Sequence, residues 1–282
     1  MPSLRRFFHQ VFVLATEELR DLIFRRRAAL SLILYLGVIT LVVMSLAYIE
    51  EKLWPSMSIF QQDSPERGLI LTQFEKYGLR DELELILKIG SLPRPVVIMQ
   101  LFSLLWFPTL VALVSCDMVS IDLYRGTLRF LLGRTGRAAY YFSKMLAHFA
   151  LYFLLQVLTL LVLFVTCALK TETFDKPAYV ASLLAYFGVF LVFLWFVVAT
   201  TQFISCWSVR PINAVIRLHL LWVVFLGLLF IYPWASPLNA QAVVGLVAAP
   251  FEGAGWRSVS YLACWSALFS LAGLLLFQRR AL

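Results

Sequence analysis

Charge is scarce in this 282-residue chain: Asp, Glu, Lys and Arg make up 14% of it, and hydrophobic residues 61%. Soluble domains run at about 25% charged and about 45–50% apolar. One soluble core cannot hide so much apolar surface, so the composition excludes a soluble protein and predicts a polytopic membrane protein. Histidine is sparse too. His9, His148 and His219 stand singly, with no carboxylate inside an apolar run to pair with. Cys116, Cys167, Cys206 and Cys264 lie in or at the ends of apolar runs, without the C-x-x-C spacing of a metal site. There is no G-x-x-x-x-G-K-[ST] phosphate loop, no H-E-x-x-H and no G-x-S-x-G. Their absence argues against ATP binding by a phosphate loop and against the hydrolase classes built on the other two motifs. A cleavable signal peptide is not expected, because the apolar stretch 11–15 is short and Glu17 and Glu18 stop it. The first true span is then its own targeting signal.

What is present is a series of long apolar runs. Residues 4–27 carry an apolar stripe at helical spacing, Phe8, Phe12, Ala15, Leu19, Leu22 and Ile23, closed by Arg25, Arg26 and Arg27. They read as a helix lying in the membrane interface. Spans are expected at 28–49, 96–116, 145–169, 178–206, 214–232 and 258–277, each near the 20 residues a bilayer core needs. Pro108 is expected to kink the second. Between the first two lies a polar segment, 50–94, with an amphipathic helix around Leu79, Leu83, Ile86 and Leu87. The stretch 233–257 has an apolar core, 240–249, too short to cross, and reads as an outer re-entrant hairpin. The fold class is thus an all-α polytopic membrane protein, one transmembrane domain over 1–282.

The net charge of +8 does not signal nucleic acid, because the basic residues flank the apolar runs, where they set topology. With both termini in the cytoplasm, fifteen of the 24 Lys and Arg fall on the inner side and eleven of the 16 acids on the outer. Every short loop agrees with that orientation. Mid-span positions are nearly free of ionisable groups, and Arg217 lies close enough to the inner edge to snorkel. This argues against a proton-coupled carrier. Gln100, Gln156 and Gln202 are the polar groups at depth, either interhelical hydrogen-bonding groups or the lining of a substrate path.

The segment 117–144 stands apart. It holds Asp117, Asp122, Arg125, Arg129, Arg134, Arg137 and Lys144 between two apolar runs. Residues 119–132 have helical spacing, with Ile121, Leu128 and Leu132 on one face, and predict one short amphipathic helix at the inner surface.

This segment resembles the loop after the second span in permease subunits of type-2 ABC transporters. Asp122 stands at that family's acidic position, Gly126-Thr127-Leu128 match its G-T-L, and Leu131-Leu132 match its leucine pair. Arg137 matches the turn arginine and Lys144 the lysine opening the third span. Tyr124 replaces a frequent second acid, Thr135-Gly136 a proline-containing turn, and Ser143 a glycine. Ser236-Pro237-Leu238-Asn239 looks like the family's S-P-L-N stretch after the fifth span. The resemblance implies six spans in the inner membrane and an exporter working as a homo- or heterodimer of permease chains. It also implies a separate cytoplasmic ATPase subunit that holds ATP and magnesium, with no cofactor and no catalytic residue in this chain. The loop would be the coupling helix, seated in a cleft of the ATPase through Asp122, Arg125, Gly126, Thr127, Leu128, Arg129, Leu131, Leu132 and Arg137. There Gly126 would allow close backbone approach, and Leu128, Phe130 and Leu131 would anchor. Membrane lipid is the other expected partner. The rival classes are a membrane-embedded enzyme or scaffold and a secondary carrier; an enzyme needs His, Asp, Glu or Ser clustered at one depth, which the spans do not show.

Overall fold

A computed structural model describes residues 4–24, 29, 33–42, 44–45, 94–170, 176–231 and 255–280. The polar segment 50–93, with its expected helix, and the expected hairpin core 240–249 lie outside the described residues. Among the described residues every regular element is a helix. Besides the helical stretch Ile33–Val42 they are α1 (Leu4–Phe24), α2 (Arg94–Ser115), α3 (Ser120–Arg125), α4 (Thr127–Leu132), α5 (Arg137–Lys170), α6 (Lys176–Trp207), α7 (Pro211–Ile231) and α8 (Gly255–Arg280).

Four helical stretches are long and apolar enough to cross a membrane: Trp106–Arg125, which runs from α2 through α3, Arg137–Val165 in α5, Tyr186–Trp207 in α6 and Val259–Arg280 in α8. They overlap the second, third, fourth and sixth expected spans, so the chain is a multi-pass membrane protein, all-helical over its described residues. Shorter apolar helical stretches, Ile33–Val42 and Pro211–Phe225 within α7, fall in the other two. Pro108 lies inside α2, and the helix continues past it.

Helix α6 is apolar all round and sits at the centre, in contact with α2, α5, α7 and α8. Phe190, Leu194, Phe196, Val197, Val198 and Ala199 are fully buried on it. Around them Phe196, Phe225 and Phe269 from α6, α7 and α8 meet with ring centroids 6.1–6.2 Å apart, within the range of favourable ring pairs. Gly273 lets α8 close on this centre. A Cβ there would run into the Tyr141 hydroxyl and come within 3.3 Å of the Phe203 Cα.

Helix α5 begins at Arg137, earlier than the span expected at 145. Its 34 residues make a rod of about 51 Å, well beyond the about 30 Å of a bilayer core. The rod is therefore longer than the apolar layer it would cross, and Lys144 lies within its first eight residues.

Helix α1 packs along α5. Val11, Ala15 and Leu22 are buried, while Phe8 is 60% and Phe12 69% exposed. The apolar stripe is thus split: one edge meets the protein and the other faces outward.

Candidate functional site

The segment between α2 and α5 is one of two helical pieces, and this corrects the single helix expected over 119–132. The break falls at Gly126, whose φ of 72° lies in the left-handed region that glycine enters without penalty. Its N–H returns to the Leu123 carbonyl at 3.3 Å and closes α3. A Cβ at Gly126 would meet nothing within 4 Å. Inside this chain, then, the glycine serves backbone conformation and not close approach.

The N-terminus of α3 is capped from another helix. Ser205 Oγ, near the end of α6, accepts the N–H groups of Val119 at 2.9 Å and Ser120 at 3.0 Å. Val119 has no side-chain oxygen to do this itself, so two orphan donors of the helix end are satisfied across the bundle.

Asp122 is the centre of the segment's polar contacts. Its Oδ2 lies 3.0 Å from Lys144 Nζ and accepts a hydrogen bond from the Tyr140 hydroxyl. Its Oδ1 accepts from Thr127 Oγ1 at 3.2 Å, which ties α4 back to α3 across the glycine. Tyr140 and Lys144 are four apart on α5, hence on one face. Lys144 Nζ also lies 2.6 Å from Glu18 Oε2 on α1. The Lys144, Glu18 and Asp122 side chains are 7%, 12% and 16% exposed. Burial alone would raise the Asp122 pKa. The Lys144 charge and the hydrogen bonds from Tyr140, Lys144 and Thr127 outweigh it and hold the carboxyl below its ordinary value.

Apolar packing completes the attachment. Met118, Val119 and Leu128 are buried against Tyr140, Tyr141, Cys206 and Phe277, with Leu123 and Leu132 at the margin. Arg137 donates to the Gln278 carbonyl at 3.1 Å and Arg280 to the Cys206 carbonyl at 3.3 Å. Arg217 donates to the Trp207 carbonyl at 2.7 Å with its guanidinium 4.8 Å from that indole. These arginines meet carbonyls at the C-terminal ends of α6 and α8, where positive charge is favoured. The 117–136 segment and the ends of α6 and α8 therefore share one end of the bundle, and α1 joins them through Glu18.

The expected coupling residues divide into two sets. Asp122, Leu128, Leu132 and Arg137 point into the protein. Leu128 is 5% exposed and so is not an outward anchor in this chain, contrary to the role expected for it. Arg125, Gly126, Thr127 and Leu131 are exposed, together with Tyr124 at 63% and Phe130 at 82%. Arg129 belongs to α4 and Gln100 to α2; the side chains of both lie outside the described residues. Gln156 and Gln202 are buried in the bundle. The Gln202 amide donates to the Tyr141 carbonyl at 2.7 Å, joining α6 to α5.

Several contributors were not foreseen. Glu18 lies with Ala15 and Leu22 on the inward edge of α1, at the i, i+3, i+7 spacing of one helical face. Ser205 and Tyr140 had no sequence signal. His148 is hydrogen-bonded: Ser115 Oγ lies 2.6 Å from His148 Nδ1 and 2.5 Å from the Tyr152 hydroxyl, linking α2 to α5. Among the described residues no group of His, Cys, Asp and Glu has the makings of a metal site. Neither a protein-family model nor a curated protein matches the chain.

Proposed function

We propose that this chain is the membrane-spanning permease subunit of an ATP-driven transporter of the type-2 ABC kind, with six spans and both termini in the cytoplasm. In this reading it works as an exporter in an inner membrane, paired with a second permease chain. A separate ATPase subunit holds ATP and magnesium, and α3 and α4 form the coupling element. The observation that supports this is the two-sided build of the 117–136 segment. Its inner side is fixed to α1, α5, α6 and α8 by the Asp122–Lys144–Glu18 cluster, the Ser205 cap and the Leu128 packing. Its outer side presents Tyr124, Arg125, Phe130 and Leu131 to a partner. Exposed aromatic and arginine side chains around a rigid frame are the residue types that anchor protein interfaces. A loop that served topology alone would need neither a cross-helix cap nor a buried ion cluster. Closure of the ATPases on ATP would displace the segment, and the attached helices would move with it as a two-state unit.

The test is purification of the full-length protein from its host membrane, with mass spectrometry of what accompanies it. A subunit carrying a phosphate-loop motif is expected with the wild type and is expected to be lost from Phe130→Asp. Absence of such a subunit from the wild type, or equal recovery with the variant, overturns the reading.

A further inference from the structure

A groove of about 530 Å³ opens between α1, α5 and α6, within the volume range of pockets that hold small ligands. Phe7, Phe8 and Val11 line it from α1, Met145 and Phe149 from α5, and Trp195 from α6; every described residue of its lining is apolar. Such a lining offers nothing to a polar ligand and suits a hydrocarbon chain. At the α1 end, Arg5 and Arg6 directly precede Phe7 and Phe8 in sequence. Both are exposed, and neither makes an ion pair with a described residue. On a helix Arg5 projects close to Phe8, on the outward edge of the apolar stripe. An apolar slot beside an exposed guanidinium that pairs with no described acid is complementary to a molecule with a hydrocarbon tail and an anionic head. Arginine is well suited to a phosphate, which it meets with two parallel N–H donors.

We propose that this groove is a binding site for an anionic phospholipid of the surrounding membrane, one acyl chain lying between α1 and α5 and the phosphate held by Arg5, with Arg6 adding positive charge at the same end of the helix. The site is independent of any ATPase partner. Bound there, the lipid covers the outward edge of α1 and holds the helix against α5, on the same helix that supplies Glu18 to the charged cluster.

Trp195 reports on occupancy. The full-length protein is reconstituted in phosphatidylcholine vesicles containing a rising fraction of either brominated phosphatidylglycerol or brominated phosphatidylcholine. The Trp195 signal is the difference between wild type and Trp195→Phe, which separates it from the remaining tryptophans among the eight. Half-quenching is expected at a roughly fivefold lower mole fraction of the anionic lipid for each arginine engaged. The Arg5→Gln/Arg6→Gln double variant is expected to lose that preference while keeping its thermal midpoint. Equal quenching by the two lipids would mean ordinary solvation by the bilayer. Absence of quenching by either would mean that a second copy or another protein covers the groove. Both results overturn the proposal, as does a preference that survives in the double variant.

Discussion

Lys144 is one ammonium shared by two carboxylates from different helices, and all three side chains are largely buried. Breaking a buried pair by deleting one member leaves uncompensated charge and typically costs about 3–5 kcal/mol. Lys144→Met leaves two acids facing each other, so its thermal midpoint in detergent is expected to fall further than that of Glu18→Gln, which leaves the Asp122 pair intact. The depressed Asp122 pKa has a pH signature. A carboxyl with a folded value below its unfolded value of about 3.9 contributes stability that is complete above that value. The contribution is lost as pH falls through the lower folded value. Wild type is therefore expected to lose more stability than Asp122→Asn on acidification below about pH 4, measured by thermal unfolding at a series of pH values. Gly126 makes a different prediction. Its left-handed conformation costs an ordinary residue roughly 1–2 kcal/mol, and Asn less, while no neighbour in the chain obstructs a side chain. Gly126→Ala should lower the midpoint slightly and Gly126→Asn hardly at all; the reverse order would point to steric crowding instead.

At the scale of elements, α3 and α4 are too short to be stable alone, since isolated helices under about 12 residues are marginal in water. They persist because other helices supply what they lack. Ser205→Ala removes an acceptor from two N–H groups at once and is expected to cost about 1–2 kcal/mol. Amide exchange should rise at Val119 and Ser120 before it rises in α5 or α6. Unchanged exchange in this variant would mean that packing alone holds the segment. Gly273 works the other way, by being small. Gly273→Val should destabilise by about 1–3 kcal/mol, seen as a lower thermal midpoint, because the added carbons meet the Tyr141 hydroxyl and the Phe203 backbone. The apolar runs made α2, α5, α6 and α8 legible from sequence, since about 20 uncharged residues have few other uses. The break at Gly126 was not legible. The apolar positions on its two sides keep helical spacing, and spacing alone does not register one residue with positive φ. Asp122 and Lys144 stood out through the resemblance, but their contact did not, because it depends on α5 starting two turns before the apolar run. Ser205 was hidden in a run of ordinary span residues, where a hydroxyl has no sequence context.

For the whole molecule, the arrangement suggests how force at one end would spread. The 117–136 segment touches α5, α6 and α8, and α6 in turn contacts α2 and α7. A displacement of the segment therefore has a short packed route to most described helices. In the proposed transporter this is the path from nucleotide closure to opening of the spans, with α1 drawn along through Glu18. The two faces of the segment separate this account from one in which the loop serves topology alone. Photo-reactive amino acids placed at Tyr124, Leu128 and Phe130 in turn, in the protein within its host membrane, read those faces directly. The account predicts cross-links to an ATPase subunit from positions 124 and 130, and from 128 a cross-link within the chain. An ATPase cross-link from none of the three, or equally from all three, would contradict it.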